Sequence, residues 1–169
     1  QDAIAAAIRQ RTAGCQSIRF GHHGFGWVAT GMASYAVTSQ QSVAIRQTRR
    51  EARFKAFTDA RAHLHRCLQA LTPEAQHRIT TILEQNDAIR LALVNLATND
   101  QERHEQALDI LARGFVAYAV EDDVAIQSIR VHLVATPKTA TRLTRPTASA
   151  MEATSLREGL RQTQIEVES

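Results

Sequence analysis

Aromatic residues are scarce, at 5% of 169 positions: five Phe, two Tyr and one Trp. A core built on bulky rings is therefore excluded. The apolar fraction is still 44%, much of it alanine, which points to one ordinary domain with small core side chains and close backbone approaches. Lysine is almost missing too, since Lys55 and Lys138 stand beside 18 Arg. That imbalance fits a GC-rich genome better than a nucleic-acid-binding surface, which usually mixes the two. A formal charge of +3 over this length is too dilute to argue for nucleic acid by itself. No apolar run reaches the ~18 residues of a membrane span. Cys15 and Cys67 are the only cysteines, so at most one disulfide is possible. Cys67, set among apolar helix positions, reads as a buried free thiol. A pair with Cys15 would instead imply an oxidising compartment. The chain starts at Gln1 without signal-peptide regions, and its last residues, QTQIEVES, read as a helix cut short, so a longer natural chain is expected.

Neither glycine nor proline occurs between Gly31 and Pro73. In that gap lies the strongest periodic signal, a helix from a cap at Thr38 or Ser39 to about Leu71. Ala44, Thr48, Ala52, Ala56 and Ala60 recur at spacing four, and Leu64, Leu68 and Leu71 continue the stripe. Such a stripe lets a helix lie close to a sheet or another helix. The other side carries Arg46, Arg49, Arg50, Arg53, Lys55, Arg61 and Arg66 against Glu51 and Asp59.

Around this helix the pattern predicts α+β, with a small antiparallel or mixed sheet. Residues 2–13 read as a short helix stopped by Gly14, 17–20 as a short strand, and 27–37 as a strand with a bulge at Gly31. Thr72-Pro73-Glu74 is a helix start, with cap, proline and acid in order. That helix runs to about Asn86, and 87–97 continues it. Asn99-Asp100 breaks the pattern, and 101–113 is another helix, ended by Gly114. FVAYAV (115–120), an EDD turn and 124–135 make a hairpin, with Ile129, Val131 and Leu133 alternating against Arg130 and His132. Residues 1–135 thus form the α+β domain. Residues 136–149, polar and with two prolines, read as an extended arm, and 150–169 as a C-terminal helix interrupted by Gly159.

The chemical candidates are few. GHHGFGW (21–27) sets two histidines among three glycines. A phosphate cradle needs its glycines before a helix, and these precede a strand. His22 and His23 are adjacent, so a strand would point them to opposite faces, and no HxxxH or CxxC supplies further metal ligands. A strand-connecting turn is the plain reading. His63 and His65 diverge on a helix; His77 and His104 are single helix histidines, and His132 is expected to face outward. Glu121, Asp122 and Asp123 lack the spacing and glycine of a calcium loop and read as a solvated hairpin tip. No catalytic, cofactor-binding or metal-ligating residue is expected.

WVATGMASYAV followed by SQQSVAIRQTRREARFKAFTDARAHLHRCL resembles the twenty-kilodalton bacterial outer-membrane lipoprotein family, which includes the flagellar basal-disk lipoprotein. Trp27, Gly31, Ala44, Ala52, Ala56, Ala60 and Leu64 occupy the places of that family's opening strand and alanine-spaced helix. GFVAYAVEDDVAIQSIRVHLVA is similar to its closing strands. The resemblance implies a strand, a long helix on a small sheet, further strands, and assembly into envelope rings or disks without enzymatic activity.

The resulting expectation is a non-enzymatic structural or assembly protein of the bacterial periplasm, outer membrane or cell surface. It would be a homo-oligomer, with other envelope proteins as further partners and no cofactor. Association would run through strand edges, the arm and the terminal helices. The partner-binding candidates are Arg46, Arg49, Arg50, Arg53 and Arg61 on the helix, and Pro137, Lys138, Arg142 and Arg145 in the arm. The alternative is a nucleic-acid-binding protein that uses the arginine face, with salt-dependent affinity.

Overall fold

A computed structural model describes residues 2–9, 13–20 and 24–143. Its elements are α1 (Asp2–Arg9), β1 (Gly14–Phe20), β2 (Gly24–Ser34), α2 (Ser42–Gln69), α3 (Pro73–Leu83), α4 (Asp87–Leu96), α5 (Asp100–Arg113), β3 (Val116–Asp123), β4 (Ser128–Ala135) and α6 (Pro137–Ala140), closed by a 3₁₀ turn over Thr141–Leu143. The four strands form one antiparallel sheet in the order β1-β2-β4-β3. The class is α+β, as the sequence predicts. No described helix is long and apolar enough to cross a membrane.

The alanine stripe explains the packing. At 3.6 residues per turn, a spacing of four advances about 40° per step, so from Ala52 to Leu68 the buried line winds about 160° around the axis. Ala52, Ala56, Ala60, Leu64 and Leu68 are all buried. The helix therefore changes partners along its length, meeting β2 and β4 and then α5. Gly31 sits where backbone meets backbone: a Cβ there would collide with the Ala56 carbonyl oxygen and the Ala60 amide. It pairs with Val131 in unbroken register, so the expected bulge at Gly31 is absent. The irregularity lies in β3, between Ala117 and Ala119. Gly31 is in the sequence to admit the helix, not to bend the strand.

The thiol expectation is overturned. Cys15 and Cys67 form a disulfide across 52 residues, with Cα atoms 6.0 Å apart. Cys15 pairs with Ala29 and so lies on the α2 face of the sheet, where it reaches the last turns of the helix. Helix periodicity describes the surroundings of Cys67 within its own segment and is blind to the strand laid beside it.

The helix starts are mixed. Thr72 and Asn86 accept hydrogen bonds from the Ala75 and Ile89 amides, which makes α4 a helix of its own rather than a continuation. Asn99 does the same for Glu102, and Gly114 ends α5. By contrast α2 begins at Ser42 with Gln41 at the cap and no side-chain bond, not at Thr38 or Ser39. Ser39 Oγ accepts from the Gln41 amide at 3.2 Å instead.

The start of the extended arm is also corrected. Thr136 opens α6 with a capping box to Thr139, Pro137 follows at the first turn, and Ala140 is fully buried. A Cβ on Gly114 would lie 2.5 Å from the Ala140 Cα, so this turn packs tightly on the end of α5. The polar composition of TPKTA masks a helix-start signal. Residues 144–149 of the expected arm and the C-terminal helix 150–169 lie outside the described residues, as do His22 and His23.

Candidate functional site

On the side of the sheet away from α2, Val28 and Thr30 of β2 and Arg130, His132 and Val134 of β4 are buried. At one end α1 lays Ile4, Ala7 and Ile8 on Ile18, Val28 and Val134. Beyond it the same face turns polar. Thr30 and His132 are cross-strand partners, as are Glu121 and Arg130. His132 is fully buried, with Nδ1 at 2.8 Å from Thr30 Oγ1 and Nε2 at 3.0 Å from Glu121 Oε2. An Arg130 guanidinium nitrogen lies 3.7 Å from the same Glu121 oxygen. The expectation that His132 faces outward is wrong: period-two alternation separates two faces of a strand but does not say that one of them is wet.

Hydroxyl, imidazole and carboxylate in a row are also the parts of a nucleophilic triad. Here both ring nitrogens are occupied, and Thr30 is only 5% exposed in the middle of a paired strand. The hydroxyl has no approach for a substrate. The arrangement ties β2, β4 and β3 together through one buried ring.

The acids of the hairpin form a second connection. They belong to β3, and the turn is Val124–Gln127, with Gln127 at φ 51°. The solvated EDD tip is thus another correction. Tyr35 Oη donates to Asp122 Oδ1 at 2.8 Å, and Arg49 Nε donates to Oδ2 at 2.6 Å, with a second guanidinium nitrogen on the same oxygen. Burial pushes the Asp122 carboxyl up, but the bonds from Tyr35 and Arg49 and the charges of Arg49 and Arg53 outweigh it, so it sits below its ordinary range. The bond to Asp122 raises both Tyr35 and Arg49. Asp122 thereby pins the hairpin to α2. Nothing in local spacing reveals it, since Tyr35 and Arg49 lie 87 and 73 positions from their partner.

The predicted partner-binding set consequently splits. Arg49 is committed within the chain. Arg61 stacks over Phe57 and Phe115, 5.9 and 6.0 Å from the ring centres. Arg46, Arg50 and Arg53 are exposed on the outer side of α2. Pro137 is half-buried at the start of α6, Lys138 and Arg142 are exposed, and Arg145 is outside the described residues.

A cavity of about 810 Å³ lies between α2, α3 and α5, lined by Leu68, Pro73 and Leu108 with His65 and His104. The His104 ring sits 5.4 Å from that of His77, and its Nδ1 is 2.9 Å from Thr80 Oγ1. Among the described residues no group of three or more His, Cys, Asp or Glu is placed to hold a metal ion.

The last feature is the outer edge of β3, the end strand of the sheet. Tyr118 and Val120 are exposed there, and the adjoining turn exposes Val124 and Ile126. No family model, no curated protein and no solved structure matches this chain.

Proposed function

We propose that the protein is a non-enzymatic assembly module of a bacterial envelope, self-associating through the edge of β3. The carrying observation is the exposure of Tyr118 and Val120 on that end strand, ahead of the half-exposed Glu121. End strands leave backbone N–H and C=O groups unpaired and usually guard them with charge. β3 has a bulge near Tyr118, but Tyr118 and Val120 are uncharged and exposed, and Asp122 is drawn inward to Arg49. A second β3 laid antiparallel across a two-fold axis would satisfy these groups and bury both side chains. The Cys15–Cys67 disulfide supports a periplasmic or surface location, because cytosolic thiols are kept reduced. The sequence resemblance to the outer-membrane lipoprotein family, although no family model matches the chain, implies the same role.

Sedimentation velocity on the full chain tests this reading. Oligomers are expected, and Tyr118→Lys with Val120→Lys should return them to monomers while circular dichroism stays unchanged. A wild-type chain that remains monomeric at high micromolar concentration refutes it. The alternative, nucleic-acid binding by the arginine face, would draw on the exposed Arg46, Arg50 and Arg53, since Arg49 is paired with Asp122. It requires duplex binding that falls steeply with salt and disappears when those three are replaced by Ala.

A further inference from the structure

We infer that one end of the molecule is a docking surface for an anionic lipid bilayer. It is formed by the tip of the β3–β4 hairpin and the outer N-terminal side of α2. Two contacts bring these distant segments together: Tyr35 N donates to the Gln127 carbonyl at 2.9 Å, and Arg49 is paired with Asp122. The result gathers Val37, Val43, Val124 and Ile126 at one end, 42%, 65%, 66% and 62% exposed. Phe54, 69% exposed, stands about 16 Å farther along the outer side of α2.

Charge accompanies these apolar groups. Arg46, Arg50, Arg53 and Lys55 are exposed, with Glu51 the acid among them. The nearby hairpin acids are engaged. Glu121 is held by His132 and Arg130 and Asp122 by Tyr35 and Arg49, while Asp123 accepts from the Ala125 amide and keeps its charge; the four cations outnumber Asp123 and Glu51 together.

Exposed aliphatic groups at a turn, flanked by arginines, fit the boundary between lipid headgroups and acyl chains. The cations meet headgroup phosphates while the valines and isoleucine enter the apolar layer. A nucleic-acid backbone would use only the cations and leave the aliphatic tip uncovered. A second copy meeting this same patch would set its arginines against their equivalents. The bilayer is the occupant that uses both halves of the surface.

Vesicle co-sedimentation of the full chain is the test. Binding is expected to phosphatidylcholine vesicles containing phosphatidylglycerol, with little to phosphatidylcholine alone, and it should weaken with salt. Replacing Arg46, Arg50 and Arg53 by Gln should weaken it roughly five-fold each, on the order of a hundred-fold together. Val124→Ser with Ile126→Ser should also weaken it, although no charge changes. All five side chains are exposed, so unchanged circular dichroism can certify the variants. Equal binding to both vesicle types, binding to neither, or an undiminished triple variant overturns the inference. Binding to a duplex oligonucleotide without vesicle binding overturns it in favour of nucleic acid. The assembly proposal is read separately, by sedimentation without lipid. A monomer that binds vesicles sinks only that proposal, and an oligomer that ignores them sinks only this inference.

Discussion

The two faces of the sheet are built by opposite means. On one, α2 lies on β2 with alanines and a glycine between them, so backbone approaches backbone. On the other, short α1 covers one end, and cross-strand polar groups fill the space beside it. The first face draws on close packing, which is non-directional and sensitive to added volume. The second depends on hydrogen bonds, whose value lies mainly in leaving no buried group unpaired. The same four strands therefore fail differently on their two sides.

Added volume should break the helix face most severely. Gly31→Val is expected to cost more than about 3 kcal/mol, because backbone atoms of α2 obstruct the new methyls and cannot swing aside. Urea denaturation would show this; a variant within 1 kcal/mol of the parent, on that same rough scale, would mean the helix is not seated on β2 as described.

The disulfide joins the helix face to an end strand, so its loss should come next. Cys15→Ser with Cys67→Ser should cost about 4 kcal/mol, the expectation for closing a loop of this order. Thermal melting with and without reductant would check it. A parent chain insensitive to reductant would indicate that the staple contributes little.

The polar face should respond more mildly to a ring deletion than the helix face to added volume. His132→Leu roughly preserves volume but deprives Thr30 and Glu121 of their partner, at a cost of about 1–3 kcal/mol. A neutral or stabilising result would show that the network is dispensable and sharpen the search for a use beyond stability.

The smallest effect is expected at the edge of the helix face, where Asp122 holds the hairpin to α2. Its folded pKa is lowered, so its stabilisation is fully present above the unfolded value of about 3.9 and is lost as pH falls through the lower folded value. Glu102, lowered by the Thr98 amide and hydroxyl bonds, acts in the same direction near α5. Denaturation midpoints should thus fall as the solution is acidified below about pH 4. Asp122→Asn should flatten part of that slope, and an identical slope in the variant would refute the assignment.

Legibility in the sequence followed the same division. The long helix, the Thr72-Pro73 start, the Gly114 stop and the existence of the hairpin were all readable. Each rests on neighbours within a turn or two. Gly31 was visible as unusual, yet its reason, the Ala56–Ala60 backbone, lies 25 and more positions away. Alternation assigns His132 to the face away from the helix without saying what covers that face. TPKTA reads as an arm by its polar composition, although Thr136 and Thr139 carry a capping pattern. Of the candidate arginines, Arg46, Arg50 and Arg53 stayed on the surface, while Arg49 and Arg61 were claimed by partners no spacing rule could supply.

By itself, then, the sequence determined the α+β class, the alanine-striped helix and most helix ends, because caps and periodicity act over a few residues. The tertiary structure alone decided that Cys15 meets Cys67, that Asp122 binds Arg49 and Tyr35, and that the tip of the hairpin stands beside the start of α2. Those pairings depend on strand order and on which face each strand turns to the helix, and chain-distant groups acquire neighbours only when the sheet closes.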